Sequence, residues 1–353
     1  MRPRPLNTAI ALVTAVTAGG LLTACGSASP AGSASPAPVA SGSHAGASPS
    51  GSASAGPSTA PSGAPSTAPT GGNGGVSAAP VSLNGTAGTM LTVSNGTSRV
   101  VMNGTTVDFG VVVRDLTWSP DGTRAAFVDG DGNLDTANPD GSDRVVVARN
   151  PGNVTWSHPA WQVIKAGNPD RVPACDNLFF VAGSGSATRL MEVPATGGTP
   201  APLGLNGQQG SNVFPPVTGN TWVNGGGFFG EVVYANSGNG EVYLRDDYLR
   251  QQGSSLTSGS EPALVPGQDM EGSVVFVRSV GGHDHVFLEQ FTRSGPTAKD
   301  LTPNATTDYT EPAVSPDGRT VAVRTPAGIA VLPIDGSAAP RLVSTVQGLP
   351  AYR

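Results

Sequence analysis

The chain predicts an all-β fold: a six-bladed β-propeller closed by its N- and C-terminal strands in one blade, preceded by a signal peptide and a disordered linker. Three observations predict it. A Leu or Pro opening a hydrophobic strand recurs at Leu116, Pro159, Pro215, Pro262, Pro312 and Pro350, at intervals of 43, 56, 47, 50 and 38 residues. A repeat of roughly 40–50 residues that holds several short strands is the sequence sign of a propeller. The best copies, Leu116-Thr-Trp-Ser-Pro-Asp-Gly122 and Pro312-Ala-Val-Ser-Pro-Asp-Gly318, place their Asp-Gly turns 196 residues apart, four steps of 49. Finally, the sixth mark has only Ala351, Tyr352 and Arg353 after it, while three strands with no opening mark stand at the other end of the domain.

Each blade follows from β-branched and aromatic residues alternating between Gly, Asn and Asp turns, the pattern of meandering antiparallel strands. Residues 89–94, 98–102 and 105–109 supply the three unmarked strands. After Leu116 come 124–129 and 144–148, and after Pro159 come 178–182 and 189–193. Residues 231–235 and 241–245 belong to the third mark, 274–278 and 285–290 to the fourth, and 320–325, 329–334 and 340–344 to the fifth. The Pro350 strand then completes the blade begun at 89–94, which closes the ring and pairs otherwise open edges.

Residues 1–24 read as a signal peptide. Arg2 and Arg4 form a basic start, residues 9–18 an apolar stretch, and Leu22-Thr-Ala-Cys25 a small-residue cleavage site. The apolar run is shorter than the ~20 residues a spanning helix needs. Residues 25–81 are almost entirely Ser, Ala, Pro and Gly without charge, a composition that cannot offset the entropy of ordering. They read as a mobile tether with a reach on the order of 40 Å. The propeller occupies 82–353. Without Arg2 and Arg4 the chain carries 17 basic against 25 acidic residues, a net charge of −8, and only Lys165 and Lys299 are lysines. A protein with no basic stripe is not built to bind nucleic acid. Cys175 is the only cysteine of the domain, so no disulfide forms within it, and burial is its expected fate.

Trp118-Ser-Pro-Asp-Gly122, Asp131-Gly-Asn-Leu-Asp135 and Asn138-Pro-Asp-Gly-Ser142, with Ser315-Pro-Asp-Gly318 and Ile334-Asp-Gly-Ser337, resemble the WD-repeat-like blades of TolB-type propellers. Two blades carry the motif well and the middle three diverge. The N-terminus resembles a bacterial lipoprotein signal with Cys25 as the acylated residue, and the whole plan is similar to actinobacterial lipoproteins that end in such a propeller. The resemblance implies a lipid-anchored protein on the extracytoplasmic face of the cell membrane, in contact with another envelope protein or a cell-wall component. The α/β domain that precedes the propeller in TolB has no counterpart here, so the TolB partner does not carry over.

Chemistry-bearing patterns are sparse. Asp129, Asp131, Asn133 and Asp135 alternate oxygen ligands as a calcium loop begins, yet the sixth and twelfth positions hold Leu134 and Asp140 in place of Gly and Glu. A hairpin turn accounts for the same residues. His283 and His285 share a face of an extended segment but have no third zinc ligand nearby and read as a solvated hairpin tip. No Gly-x-Ser-x-Gly elbow, His-Glu-x-x-His pair or phosphate loop occurs, and no cofactor is implied. The four Trp read as packing between blades or, alternatively, as a carbohydrate platform. Phe228 and Phe229, within Asn224-Gly-Gly-Gly-Phe-Phe-Gly230, are candidates for a binding loop, against ordinary packing. The expected function is a non-catalytic binding scaffold; a sugar or small-ligand receptor, or a hydrolase or lyase with a carboxylate pair drawn from distant blades, is the alternative.

Overall fold

The computed structural model describes residues 83–168, 173–205, 214–226, 230–246, 255–267, 273–292 and 294–353. Cys25, the tether, Phe228 and Phe229 lie outside them. The chain enters with β1 (Leu91–Ser94), β2 (Arg99–Met102) and β3 (Thr105–Asp108). Blade one is β4 (Arg114–Trp118), β5 (Ala125–Val128), β6 (Leu134–Ala137) and β7 (Val145–Ala148). Blade two is β8 (Trp156–Ile164), β9 (Cys175–Ala182), β10 (Arg189–Pro194) and β11 (Ala201–Pro202). Blade three is β12 (Asn220–Gly225), β13 (Val232–Asn236), β14 (Glu241–Arg245) and β15 (Ser255–Ser258). Blade four is β16 (Ser260–Leu264), β17 (Val274–Val280), β18 (His283–Thr292) and β19 (Gly295–Asp300). Blade five is β20 (Thr310–Val314), β21 (Thr320–Thr325), β22 (Gly328–Pro333) and β23 (Arg341–Ser344). The last strand, β24 (Leu349–Tyr352), joins β1–β3 as blade six, so the described residues form six four-stranded antiparallel sheets.

The sheets stand side by side around an axis, with β4, β8, β12, β16, β20 and β24 innermost and in mutual contact. Their cores are the seams between neighbours. Ala126, Val128 and Leu134 of blade one meet Trp161 and Phe180 of blade two; comparable clusters fill the other five seams. This is why β5 is buried at all four positions: both of its faces are covered, so it reads as an apolar run and does not alternate. Gly225 is required where β12 approaches β8, because a Cβ there would come within 2.3 Å of the Trp161 carbonyl oxygen.

Closure follows the expected plan and has a second latch. β24 pairs antiparallel with β1, Leu91 opposite Tyr352 and Ser94 opposite Leu349. Upstream, Asn84 bridges to Ser344 at the end of β23, with Gly85 N–H donating to the Val343 carbonyl at 2.7 Å. The Thr86 hydroxyl then accepts from Gly104 N–H in blade six at 2.8 Å. The stretch from Leu83 to Thr86 thus straps the outer edges of blades five and six together.

Three expectations need correction. Pro215 opens no strand: the inner strand of blade three is β12, and Pro215 lies in the preceding loop. The residue that matches Pro159 there is Val223, buried after Trp222. Cys175 is the first residue of β9 and only half-buried. His285 is not at a solvated tip; it lies within β18, 5% exposed, and its Nδ1 contacts Asp300 at 2.8 Å.

Candidate functional site

The inner strands carry a shared irregularity that builds the site. In β4, β8, β12, β16 and β20 the register slips by one residue against the next strand, a β-bulge. At each bulge a non-glycine residue takes a positive φ: Asp115 at 54°, His158 at 49°, Trp222 at 56°, Glu261 at 49° and Glu311 at 53°. Such conformations cost energy for any residue with a Cβ and gather where a site needs a side chain re-aimed. Asp115, His158 and Trp222 line an axial cavity of about 190 Å³. Glu261 and Glu311 occupy the same place on the next two inner strands. The result is an axial mouth at the end where inner strands begin.

Bonds between blades hold this mouth together. The Asp115 carboxylate accepts from the His158 backbone N–H at 3.1 Å, and the Glu261 carboxylate from the Glu311 backbone N–H at 2.6 Å. The His158 ring packs on Trp222 with centroids 4.1 Å apart. One cation answers the carboxyls: Arg324, on β21, lies 3.0 Å from Glu311. Burial pushes the Glu311 pKa up to about 7; Arg324 opposes this, while Glu261 and Asp115 add to it. Burial raises Glu261 as well, and Asp284 adds its charge. Burial lowers the His158 pKa against the pull of Asp115, which favours a neutral imidazole.

The opposite end of the inner strands is different. There the two Ser-Pro-Asp-Gly turns are internally saturated. The Ser119 hydroxyl donates to Asp121 at 2.6 Å, and the Ser315 hydroxyl to Asp317 at 2.5 Å. Each aspartate also accepts a backbone N–H from Thr123 or Arg319, and each serine oxygen one from Arg124 or Thr320. Arg353 lies over the Trp118 ring at 5.6 Å and donates to the Gly122 carbonyl at 3.0 Å.

The remaining candidates resolve into structural parts. Asp129 caps the β5–β6 turn, accepting from the N–H groups of Asp131 and Asn133 at 2.9 and 2.8 Å. Asn133 spends its carbonyl oxygen on Asn150 N–H, and Asp131 is exposed. Asp135 is fully buried and bound by Arg144 at 2.6 Å; burial and Asp129 push its pKa to about 6, against Arg144. A guanidinium sits where a calcium ion would have to be, so the four residues do not fit that ion. Among the described residues no three His, Cys, Asp or Glu side chains come together as a metal set. Trp118, Trp156 and Trp161 are buried in seams, which is packing. Trp118 and Trp161 also line the axial cavity, but Trp222 is the one of the four that is half-exposed there. Of the mouth residues, sequence reasoning singled out Trp222, one of the four Trp, but gave no site role to Asp115, His158, Glu261 or Glu311, although each stands one place before a repeat mark.

No protein-family model and no curated protein matches the chain. Solved structures do. A chain of the nidogen/laminin complex aligns with a TM-score of 0.50 at 11% identity, covering 74% of this chain and 97% of that one. A TolB of Agrobacterium tumefaciens aligns at 0.45 and 16%, covering 70% and 86%. The Cps50 (Swd1) β-propeller domain of Myceliophteria thermophila aligns at 0.45 and 11%, covering 74% and 86%. Identities this low speak to fold alone. Among the described residues, six antiparallel four-stranded sheets around one axis, the last completed by β24 beside β1, make this protein a six-bladed β-propeller.

Proposed function

We propose that the protein is a lipoprotein, acylated at Cys25 and held on the extracytoplasmic face of the cell membrane, whose propeller is a non-catalytic scaffold that docks an envelope protein or cell-wall component. The axial mouth carries this reading. Five residues of positive φ stand where the inner strands begin, three of them lining the axial cavity, and two are carboxyls, Glu261 and Glu311, whose burial costs stability. Residues kept at such a cost are a mark of function. Their wiring argues against catalysis. Asp115 accepts a backbone N–H of His158 and Glu261 one of Glu311, so both carboxylates brace neighbouring blades, and among the described residues no side-chain bond joins Asp115 to the His158 imidazole. A tether of residues 25–81 supports the same reading, because it widens the volume that a rigid ring searches.

Two measurements test it. Metabolic labelling with an alkyne fatty acid should tag the wild type and not Cys25→Ser; equal tagging defeats the anchor. A photo-crosslinking residue at position 224, beside Trp222, should capture a discrete envelope component in intact cells, lost with Glu261→Gln plus Glu311→Gln. The specific observation on the side of a hydrolase is Glu311, poised near neutrality. Turnover of a glycan or peptide by the purified protein, abolished by Glu311→Gln alone, would replace the scaffold with an enzyme.

A further inference from the structure

We infer that the axial mouth and the Phe214–Val217 loop form one docking surface for an extended peptide segment of a partner protein. A Lys or Arg side chain of that segment enters the mouth, and an apolar side chain within about five positions of it rests on the loop. The inference rests on the scaffold reading and names the partner's chemistry.

Phe214 and Val217 are 65% and 67% exposed, the most exposed large apolar side chains among the described residues. The loop that carries them is braced. Asn220 Nδ2 donates to the Pro216 carbonyl at 2.7 Å, Asn236 Nδ2 to the Thr218 carbonyl at 2.8 Å, and Gly219 N–H to the Thr188 carbonyl at 2.8 Å. Pro215 and Pro216 fix the backbone between the two apolar side chains. A braced loop that keeps Phe and Val in water differs from scattered surface hydrophobes, and suits a surface that is covered in use. The loop runs directly into β12, whose bulge residue Trp222 stands in the mouth. Val217 precedes Trp222 by five positions, so their Cα atoms lie no more than about 17 Å apart.

Charge selects the rest of the occupant. Among the described residues the mouth sets Asp115, Glu261 and Glu311 against one ion pair, that of Arg324 with Glu311, with Asp284 close to Glu261. A cation is drawn to that imbalance, and the half-exposed face of Trp222 adds a cation–π surface. An anionic membrane surface or a nucleic acid is repelled by the same groups, and a neutral glycan offers no cation. A basic residue beside an apolar one is a peptide feature. Because Glu311 is held up to about 7 by burial, a bound cation displaces its proton, and affinity should rise as the pH goes from 6 to 8.

The test is to pan displayed random decapeptides on the purified mature chain, then measure a labelled synthetic copy of the top clone by fluorescence anisotropy. Enriched clones should carry Lys or Arg within five positions of a Leu, Ile, Phe or Trp. The copy should lose about tenfold in affinity with Glu261→Gln plus Glu311→Gln, and similarly with Phe214→Ser plus Val217→Ser. The rise between pH 6 and 8 should vanish in Glu311→Gln. Cooperative melting of each variant, at a midpoint no lower than that of the wild type, shows that the fold is intact. Clones without a basic residue, clones without an apolar neighbour, no enrichment, or a copy indifferent to either pair would overturn the inference. Binding of purified cell-wall sacculi, run in parallel, separates the two claims: sacculi retained by a chain that selects no such peptide leave the scaffold and remove the peptide.

Discussion

The two ends of the inner strands are built on opposite principles. Where these strands begin, five of them break register and adopt left-handed backbone at a non-glycine residue, and two, β16 and β20, bury carboxyls above their ordinary pKa. Where they end, the Ser-Pro-Asp-Gly turns give every polar group a local partner and hold Asp121 and Asp317 below the usual carboxylate range, chiefly through the serine hydroxyls. One end gives up stability and the other supplies it. The lesson is that the repeated motif of this propeller is its structural part, and the variable residue before each mark is where backbone strain and buried charge gather.

Blade six is the exception at both ends, and it yields the largest effect. β24 has neither bulge nor Ser-Pro-Asp-Gly turn; its place in the mouth is taken by Leu349, and at the other end Arg353 bonds to Gly122 of blade one. Deleting residues 349–353 should remove the inner wall of the sixth blade, expose the β1 edge and cost about 4 kcal/mol or more. Urea titration checks it, and a truncated chain with an unchanged midpoint would show that β24 does not seal the ring.

The next effects pit the two ends against each other. Glu311 has a folded pKa of about 7 against an ordinary 4.5, so the folded chain holds a proton that the unfolded one has lost between those values. Stability therefore increases as pH falls from 7 to 4.5, and the ionised carboxyl costs about 3 kcal/mol above that window. Asp135, raised to about 6, acts in the same direction. Glu311→Gln should thus stabilise the protein by up to about 3 kcal/mol at pH 8 and by almost nothing at pH 4.5. Asp317→Ala should do the reverse, costing about 1 kcal/mol at pH 7 through lost hydrogen bonds. Its folded pKa lies below 3.8, so its contribution is present above that value and disappears as pH falls through the folded one. Urea melts at pH 4.5 and 8 read the first effect, and melts at pH 7 and well below pH 3.8 the second; a Glu311→Gln variant no more stable than wild type at pH 8 would mean that the mouth carries no such strain.

Much of the fold was legible because the inner strand and its turn are dictated locally. Ser119 and Asp121 bond within their own turn, so the motif survives in sequence wherever the turn does. Blade three misled because β12 has no proline, and the nearest proline, Pro215, sits in the braced loop before it. Outer strands such as β15 and β19 went unmarked because they are mostly exposed and need no apolar alternation. The site was harder to see. A bulge is imposed by neighbouring blades, and nothing in a single Asp, His or Glu announces a positive φ. Only when the repeats are superposed on the structure do Asp115, His158, Trp222, Glu261 and Glu311 become one ring.

The smallest expected effect sharpens the comparison between seams at the turn end. Trp118 donates its Nε1–H to the Thr92 hydroxyl of the preceding blade at 3.1 Å, and Thr92 in turn donates to the Ala351 carbonyl at 3.0 Å. Trp161 holds the same place in blade two, but the residue at the register of Thr92 is Ala126, which pairs with Thr117 as Thr92 pairs with Ala351. Among the described residues the Trp161 Nε1–H is accordingly buried without an acceptor. Ala126→Ser would place a hydroxyl between that donor and the Thr117 carbonyl, reproducing the chain of bonds at Trp118. One hydrogen bond gained, less the burial of one hydroxyl, should stabilise the protein by roughly 0.5–1 kcal/mol. Thermal melting resolves a change of that size against wild type. The matching change Thr92→Ala should cost a similar amount by orphaning Trp118. If Ala126→Ser destabilises while Thr92→Ala is neutral, the two seams are not equivalent, and the superposition of blades that defines the ring at the other end would lose its register.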